Sequence, residues 1–385
     1  MGGYYPNWVS GTLAPESVDW TKYDYMAFAF AVPGSDGTVP VDDWSGALLK
    51  RLVKSAHAKN SKVLLSLGGW GQSSGFSPSV ATDTLRAKFV KSVRSVYDTY
   101  GLDGIDLDWE YPYSTAAGTY AAYDTLNFQT FLQDLRQGLP SGAIISAAVA
   151  QAPWIASNGE SVGSVARAAG ALDYIMIMNY DVWGSSSTPG PNAPLADLCG
   201  NSTQPGASAA AAVKQWAAAG MPKSKMILGS PFYGYVSTSS KTVLKQRSVQ
   251  EEVAEAQDFR RRSLHMAPPM SGRFDASMTA AERRALTSGD GQVNFASLVQ
   301  QEVLKLSGST YVAGSGFTKY WDDCSDTPYL ANGKKVITYD DPDSLYDKGA
   351  FVLQAGLGGS AVWSVEGDVA SGALVSAIRK GMGRS

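Results

Sequence analysis

The chain has 385 residues, 44% hydrophobic and 17% charged, which is ample for a large core and excludes a disordered polymer. A formal net charge of −3 gives no electrostatic case for nucleic acid or an anionic membrane surface, and no uninterrupted apolar run is long enough to cross a bilayer. Ten Trp and nineteen Tyr without basic patches favour sugars over nucleobases as stacking partners for whichever of those rings are not simply core.

Strand-like and helix-like segments alternate along the sequence. Gly3–Trp8 and Tyr25–Val32 read as strands, and Asp42–Asn60 as an amphipathic helix with Trp44, Leu48, Leu52 and Ala56 on one face. Ser61–Leu67 is a strand running into Gly68-Gly69-Trp70. Thr82–Tyr100 is a helix, with Thr82 or Asp83 as N-cap and Gly101 as its stop. The strand Gly104–Glu110 precedes the helix Tyr123–Leu139, which Pro140 ends, and the strand Ala143–Gln151 follows. A short helix over Ser161–Ala169 leads to the strand Leu172–Tyr180, then a Gly/Pro/Ser-rich loop, Gly184–Gly206. Helix Ala207–Ala219 and strand Met226–Tyr233 restore the rhythm. It breaks from about Tyr235 to Tyr339, where Arg260-Arg261-Arg262 and Glu282-Arg283-Arg284 stand among short strand candidates. Helix Ser344–Gly356, strand Ser360–Val365 and helix Val369–Lys380 complete the chain.

Eight strands alternating with helices imply an α/β fold with a parallel sheet closed into a (β/α)8 barrel. The predicted barrel comprises residues 1–234 and 340–385, and residues 235–339 form an inserted α+β subdomain between strand 7 and helix 7. An open doubly wound sheet is the alternative, but it would want a Gly-rich phosphate turn after its first strand, and Tyr4-Tyr5-Pro6-Asn7-Trp8 is unlike one.

The most unusual stretch is Asp103-Gly-Ile-Asp-Leu-Asp-Trp-Glu110. Alternate strand residues share a face, so Ile105, Leu107 and Trp109 lie opposite a file of Asp106, Asp108 and Glu110. Unpaired buried carboxylates cost several kcal/mol or take up protons, so a chain that keeps such a row uses it. In a (β/α)8 barrel the reacting groups come from the C-terminal strand ends. Those ends supply Ser66-Leu-Gly-Gly-Trp70, the acidic file, Met178-Asn-Tyr180-Asp181, Ser230-Pro-Phe-Tyr233, and Trp363 with Glu366. Carboxylates, tyrosine and tryptophan together suit a glycosidase, with an acid to protonate a leaving oxygen and a flat ring to hold the sugar. Oxygen-rich rows also suit Mg²⁺ or Ca²⁺. With His57 and His265 the only histidines, neither at a strand end, no catalytic metal and no cofactor are expected. A structural salt-bridge network would need basic partners that the strand ends lack.

These residues resemble the signature of the family 18 glycoside hydrolases, the chitinases of (β/α)8 fold. The acidic file matches their Asp-x-x-Asp-x-Asp-x-Glu, Ser66-x-Gly68-Gly69 their third-strand motif, and Met178-Asn-Tyr180-Asp181 their sixth-strand Met-x-Tyr-Asp. Trp363 matches their eighth-strand tryptophan, and residues 235–339 resemble the insertion of the bacterial-type, deep-cleft subgroup. The resemblance implies Glu110 as general acid and a nucleophile supplied by the substrate's own 2-acetamido group. It implies Asp108 as the residue orienting that group, Asp106 as its proton-sharing partner, Tyr180 and Asp181 as further holders, and Trp363 as the floor under the sugar. Trp70, Trp8, Met178, Tyr233, Tyr5 and Trp183 are expected along the substrate, and Asp103 as a backbone brace. Where many members read Tyr-Gly-Arg after the seventh strand, this chain reads Tyr233-Gly234-Tyr235, a departure that bears on the leaving-group side of the cleft.

The expected activity is therefore retaining hydrolysis of β-1,4-linked N-acetylglucosamine chains by a monomer with chitin or chitooligosaccharide as its partner. The rivals are a chitinase-like lectin, which would have lost the acid at position 110, and an endo-acting N-glycan hydrolase, which the insertion argues against. Met1-Gly-Gly runs straight into Tyr4-Tyr5, and the expectation is a secreted protein whose leader is absent from this sequence. Cys199 and Cys324 would bridge if their loops meet, and Asn201-Ser-Thr matches a glycosylation acceptor.

Overall fold

In a computed structural model covering residues 1–244, 291–314 and 316–384, the alternation closes on itself. Arg260-Arg261-Arg262, His265 and Glu282-Arg283-Arg284 lie outside the described residues. Strand β1 (Gly2–Pro6) is followed by β2 (Tyr25–Ala31) and helix α1 (Asp43–His57), which Asp42 caps by accepting from the Trp44 and Ser45 amides. Next come β3 (Lys62–Gly68), α2 (Phe76–Val80) and α3 (Asp83–Tyr100). Thr82 caps α3 through the Leu85 amide, and Gly101 ends it in the left-handed region at φ 63°. The series continues with β4 (Gly104–Asp108), α4 (Asp124–Gly138), β5 (Ile144–Val149), α5 (Ala166–Ala171), β6 (Tyr174–Ile177), α6 (Ala209–Ala218) and β7 (Met226–Pro231).

The interruption then contributes β8 (Tyr233–Thr238), β9 (Gln292–Asn294), α7 (Phe295–Gln300), β10 (Leu304–Ser307), β11 (Thr310–Ala313), β12 (Thr318–Asp322), β13 (Thr327–Ala331) and β14 (Lys335–Thr338). Helix α8 (Pro342–Ala355), strand β15 (Gly359–Trp363) and helix α9 (Ala373–Gly381) follow. Eight strands form a closed barrel in the order β1-β15-β7-β6-β5-β4-β3-β2. Between β7 and α8 the inserted strands form a separate five-stranded sheet, β12-β13-β14-β8-β9, beside the hairpin β10-β11. This sheet begins at Tyr233, only two residues after β7 ends.

By internal packing the chain divides into two compact units. One comprises Met1–Met178, Val213–Ile227 and Leu357–Gly359; the other comprises Asn179–Ala212, Leu228–Gly356 and Ser360–Ser385. In the first, Ile105 and Leu107 of β4 are fully buried, and Trp109 just beyond stacks on Phe76 of α2 with centroids 5.1 Å apart. Trp109 also meets Phe128 of α4 edge-on, and Phe128, Trp154 and Trp216 continue the aromatic chain at 5.3–5.4 Å. Each such pair adds about 0.5–1.5 kcal/mol beyond its buried area. The apolar face of the acidic strand thus packs against the helices.

In the second unit Cys199 and Cys324 are joined by a disulfide, with Cα atoms 5.1 Å apart, so the two loops do meet. There Asp341 begins α8 with a capping box, and Lys348 pairs with Asp340 where both side chains are buried.

Two expected details differ. Trp44 is 56% exposed while Leu48, Leu52 and Ala56 are buried, because Trp44 sits in the first turn of α1, beyond the reach of the core. Ser161 belongs to a small β-bridge with Ile155 rather than to a helix, and α5 begins five residues later.

Candidate active site

The acidic file falls on a buried strand and the few residues after it. Asp106 is 1% exposed, Asp108 4% and Glu110 8%. Parallel register places Ser66 of β3 and Ser146 of β5 directly beside Asp106, one on each side. The Ser66 hydroxyl donates to Asp106 Oδ2 at 2.7 Å and the Ser146 hydroxyl to Oδ1 at 2.7 Å. The Tyr4 hydroxyl of β1 also donates to Oδ2, at 2.8 Å. Burial pushes the Asp106 carboxyl above the usual aspartate range, and the three hydroxyls pull it partly back.

Asp108 has a different environment. Its Oδ1 is buried with no hydrogen-bond partner, and burial, then the charges of Glu110 and Asp106, push its carboxyl well above the usual range. Burial thus favours the protonated form of both aspartates, and more strongly that of Asp108.

The glycines of the β3 motif have a steric reason. Gly68 has φ 98°, and a Cβ there would stand 2.4 Å from the Asp108 carbonyl oxygen; Gly69 has φ 92°, and a Cβ would stand 2.8 Å from the Phe30 ring. Close approach lets the Gly69 amide donate to the Asp108 carbonyl at 2.7 Å. The Ser73 hydroxyl then accepts from the Glu110 amide at 3.0 Å, holding the backbone where it leaves the strand. Ser73, Ser146 and Tyr4 escaped the sequence reading. For Ser146 the available signal was a hydroxyl on the strand beside β4, at the register position of Asp106.

Asp103, just before the acidic strand, accepts on its Oδ2 from the Val63 amide and from His57 Nε2, each at 2.8 Å. Trp8, in the turn after β1, and Trp70, after β3, are half-buried, and the Trp8 ring lies 6.4 Å from that of Phe30. Tyr5 is a correction. Expected along the substrate, it is fully buried against Phe28 and its hydroxyl donates to the Leu13 carbonyl at 2.6 Å. Strand alternation sends Tyr4 to Asp106 and Tyr5 to the opposite side. Met178 is buried too, its amide donating to Val149 and its carbonyl accepting from Gln151 Nε2.

In the second unit the chain beyond Met178 carries Tyr180, which is buried, and Asp181, which is exposed. Asp181 adopts a left-handed backbone, φ 56°, and its amide donates to Asn192 Oδ1 at 2.9 Å. Its Oδ1 accepts from the hydroxyls of Tyr233 and, at 2.7 Å, Tyr235. Burial, and then the Asp181 charge, push the Tyr233 phenol well above its usual value, so it stays a donor. Trp183 is buried, with its ring over Gly190, where a Cβ would stand 2.5 Å away. Trp363, the last residue of β15, is half-buried, with its carbonyl accepting from the Phe232 amide at 2.9 Å. Among the described residues no group of three or more His, Cys, Asp or Glu is arranged to hold a metal ion, and no helix is long and apolar enough to cross a membrane.

Comparison with known proteins agrees with this chemistry. Residues 1–368 match the family model for glycosyl hydrolases family 18. A chitinase-like effector of Moniliophthora roreri is 36% identical over 99% of this chain and 92% of its own length. Mouse chitotriosidase-1 is 29% identical over 92% of this chain and 69% of its own length. The crystal structure of a chitinase from Rhizomucor miehei superposes with a TM-score of 0.77 at 29% identity, covering 99% of each chain. A closed barrel, the acidic file on its fourth strand and a family match over nearly the whole length lead to one conclusion: this chain belongs to family 18 of the glycosyl hydrolases and is a glycoside hydrolase.

Proposed function

We propose that the protein is a retaining chitinase that hydrolyses β-1,4-linked N-acetylglucosamine chains with the substrate's acetamido group as nucleophile. The observation that carries this reading is the inequality within the acidic file, where Asp106 is loaded with three hydroxyl donors and Asp108 is left to hold a proton beside Glu110. Glu110 gives its proton to the glycosidic oxygen as the bond to the anomeric carbon breaks. The acetamido carbonyl oxygen bonds to that carbon, forming an oxazolinium ring, while Asp108 passes its proton to Asp106 and, now ionised, holds the ring N–H and balances its charge. Water then loses a proton to Glu110 and attacks the same carbon, the ring reopens, and the original configuration is restored. Tyr180 and Asp181 hold the acetamido group, Trp363 lies under the sugar, and Trp8 and Trp70 offer stacking faces. The segment 235–339 acts as a wall for a linear polymer. The disulfide suits a secreted protein, since such bridges persist in oxidising compartments.

A second reading, a protein that binds chitooligosaccharides without turnover, has in its favour that the Moniliophthora relative is named a chitinase-like effector. Retention of Glu110 with its aspartate pair argues for turnover. Glu110→Gln decides between them. Hydrolysis of a chromogenic chitobioside should fall by about 10³-fold or more, with oligosaccharide affinity changed only a few-fold. Wild-type protein that binds but does not hydrolyse, or a variant that keeps substantial activity, overturns the chitinase assignment. A thiazoline mimic of the cyclised intermediate should inhibit strongly; if it does not, a conventional two-carboxylate mechanism replaces this one.

A further inference from the structure

Tyr233 and Tyr235 are alternate residues of β8 and therefore share a face, and both hydroxyls end on the same oxygen of Asp181. Directly opposite Tyr235 in the antiparallel pair is Gln292 of β9, whose Nε2 donates to the Tyr235 hydroxyl oxygen at 3.0 Å. With that oxygen already accepting, the phenolic proton is directed to Asp181, so the bonds run one way: Gln292 to Tyr235 to Asp181. Asn192 ties the ensemble to the backbone, accepting from the Asp181 amide and donating to the Tyr233 carbonyl at 3.2 Å. The rings of Tyr180, Tyr233 and Tyr235 pack edge to face at 6.1 and 5.9 Å.

Asp181 is exposed and sits on a left-handed backbone, a position where a short side chain would ordinarily sample several rotamers in water. Two donors converging on one oxygen remove that freedom. We propose that Tyr235 is a positioning residue: it stands where many relatives carry arginine, acts on the reaction through Asp181, and takes its own orientation from Gln292. The proposal rests on the reading above, in which Asp181 holds the acetamido group. It gives the inserted sheet a part in placing that nucleophile, since both Tyr235 and Gln292 belong to the sheet. A misplaced nucleophile lowers the rate of reaction more than it weakens binding.

A double-mutant cycle tests it. Tyr235→Phe keeps the ring and its packing and removes only the hydroxyl; it should lower kcat on a chromogenic chitobioside about tenfold, with KM changed by less than about threefold. In an Asp181→Ala background the same substitution should cost nothing further, because a group that acts only through Asp181 then has no acceptor left to position. Losses that multiply in the double variant, or a Tyr235→Phe enzyme within about twofold of wild type, overturn the proposal. If the wild type hydrolyses nothing, the chitinase reading fails by itself. The cycle is then read on the Kd for the N-acetylglucosamine tetramer, where Tyr235→Phe should weaken binding about threefold only while Asp181 is present. An equal loss with and without Asp181 overturns the proposal in that case too.

Discussion

Asp106 and Asp181 are both carboxylates that accept bonds from hydroxyl groups, one from three hydroxyls on barrel strands and the other from two tyrosines of the inserted sheet. Asp106 is 1% exposed, so its donors replace water that cannot reach it and oppose the burial that raises its pKa. Asp181 is exposed, and water could satisfy it without help. What its tyrosines add is direction. The same chemical pairing therefore does different work at the two places: at Asp106 it decides where a proton resides, and at Asp181 where a carboxylate points.

The strongest way to break the contrast is to remove the acid that Asp106 serves. Asp108→Asn should lower kcat by about 10²–10³-fold, since it removes the carboxylate that balances the cyclised intermediate. Its effect on stability should run the other way. A folded-state pKa raised above the ordinary value of 3.8 means that the native protein keeps a proton which the unfolded chain releases. Stability from this group is thus complete at low pH and declines as pH rises above that value. Asparagine has no such loss, so the variant should match wild type at acidic pH and exceed its melting temperature by about 1–2 °C near neutrality. Calorimetry across pH checks the sign; a variant that melts lower at pH 7 would mean that Asp108 is held ionised.

Next in size is Tyr4→Phe. Losing one of three donors removes a downward pull on the Asp106 pKa, so the low-pH limb of kcat should move to higher pH and kcat at its optimum should fall about tenfold. Stability should drop by about 1 kcal/mol for the lost buried hydrogen bond. A pH profile that superposes on wild type would assign Tyr4 to packing alone.

Tyr4 also shows where sequence stops being sufficient. The file Asp106-x-Asp108-x-Glu110 was legible because a period of two lies within a single strand, and Ser66 because it stands inside a short motif. Ser146 becomes a partner of Asp106 only through the register of β4 against β5, and register between strands is not written in either one. Reading Tyr5 instead of Tyr4 was a one-residue error in an alternating strand, enough to exchange the barrel interior for the helix layer. The Asp181 group was half legible: Met178-Asn-Tyr-Asp marks the loop, but Gln292 reaches Tyr235 across 57 residues of chain.

The smallest expected effect on catalysis, and the one that separates orientation from tethering, concerns the disulfide. Cys199 lies on the same long loop as Asp181 and Asn192, and its bridge to Cys324 closes 125 residues. By chain entropy such a closure contributes about 5 kcal/mol, so Cys199→Ser/Cys324→Ser should melt about 6 °C lower. The Leu195 amide still donates to the Ser325 carbonyl and the Leu198 amide to the Cys324 carbonyl, each at 2.9 Å, so the loop keeps its course once the bridge is gone. If tyrosines aim Asp181, kcat at 25 °C should stay within about twofold of wild type despite the lower melting temperature. A loss above tenfold, measured well below the transition, would mean that the covalent tether holds the carboxylate and that the two hydroxyls merely accompany it.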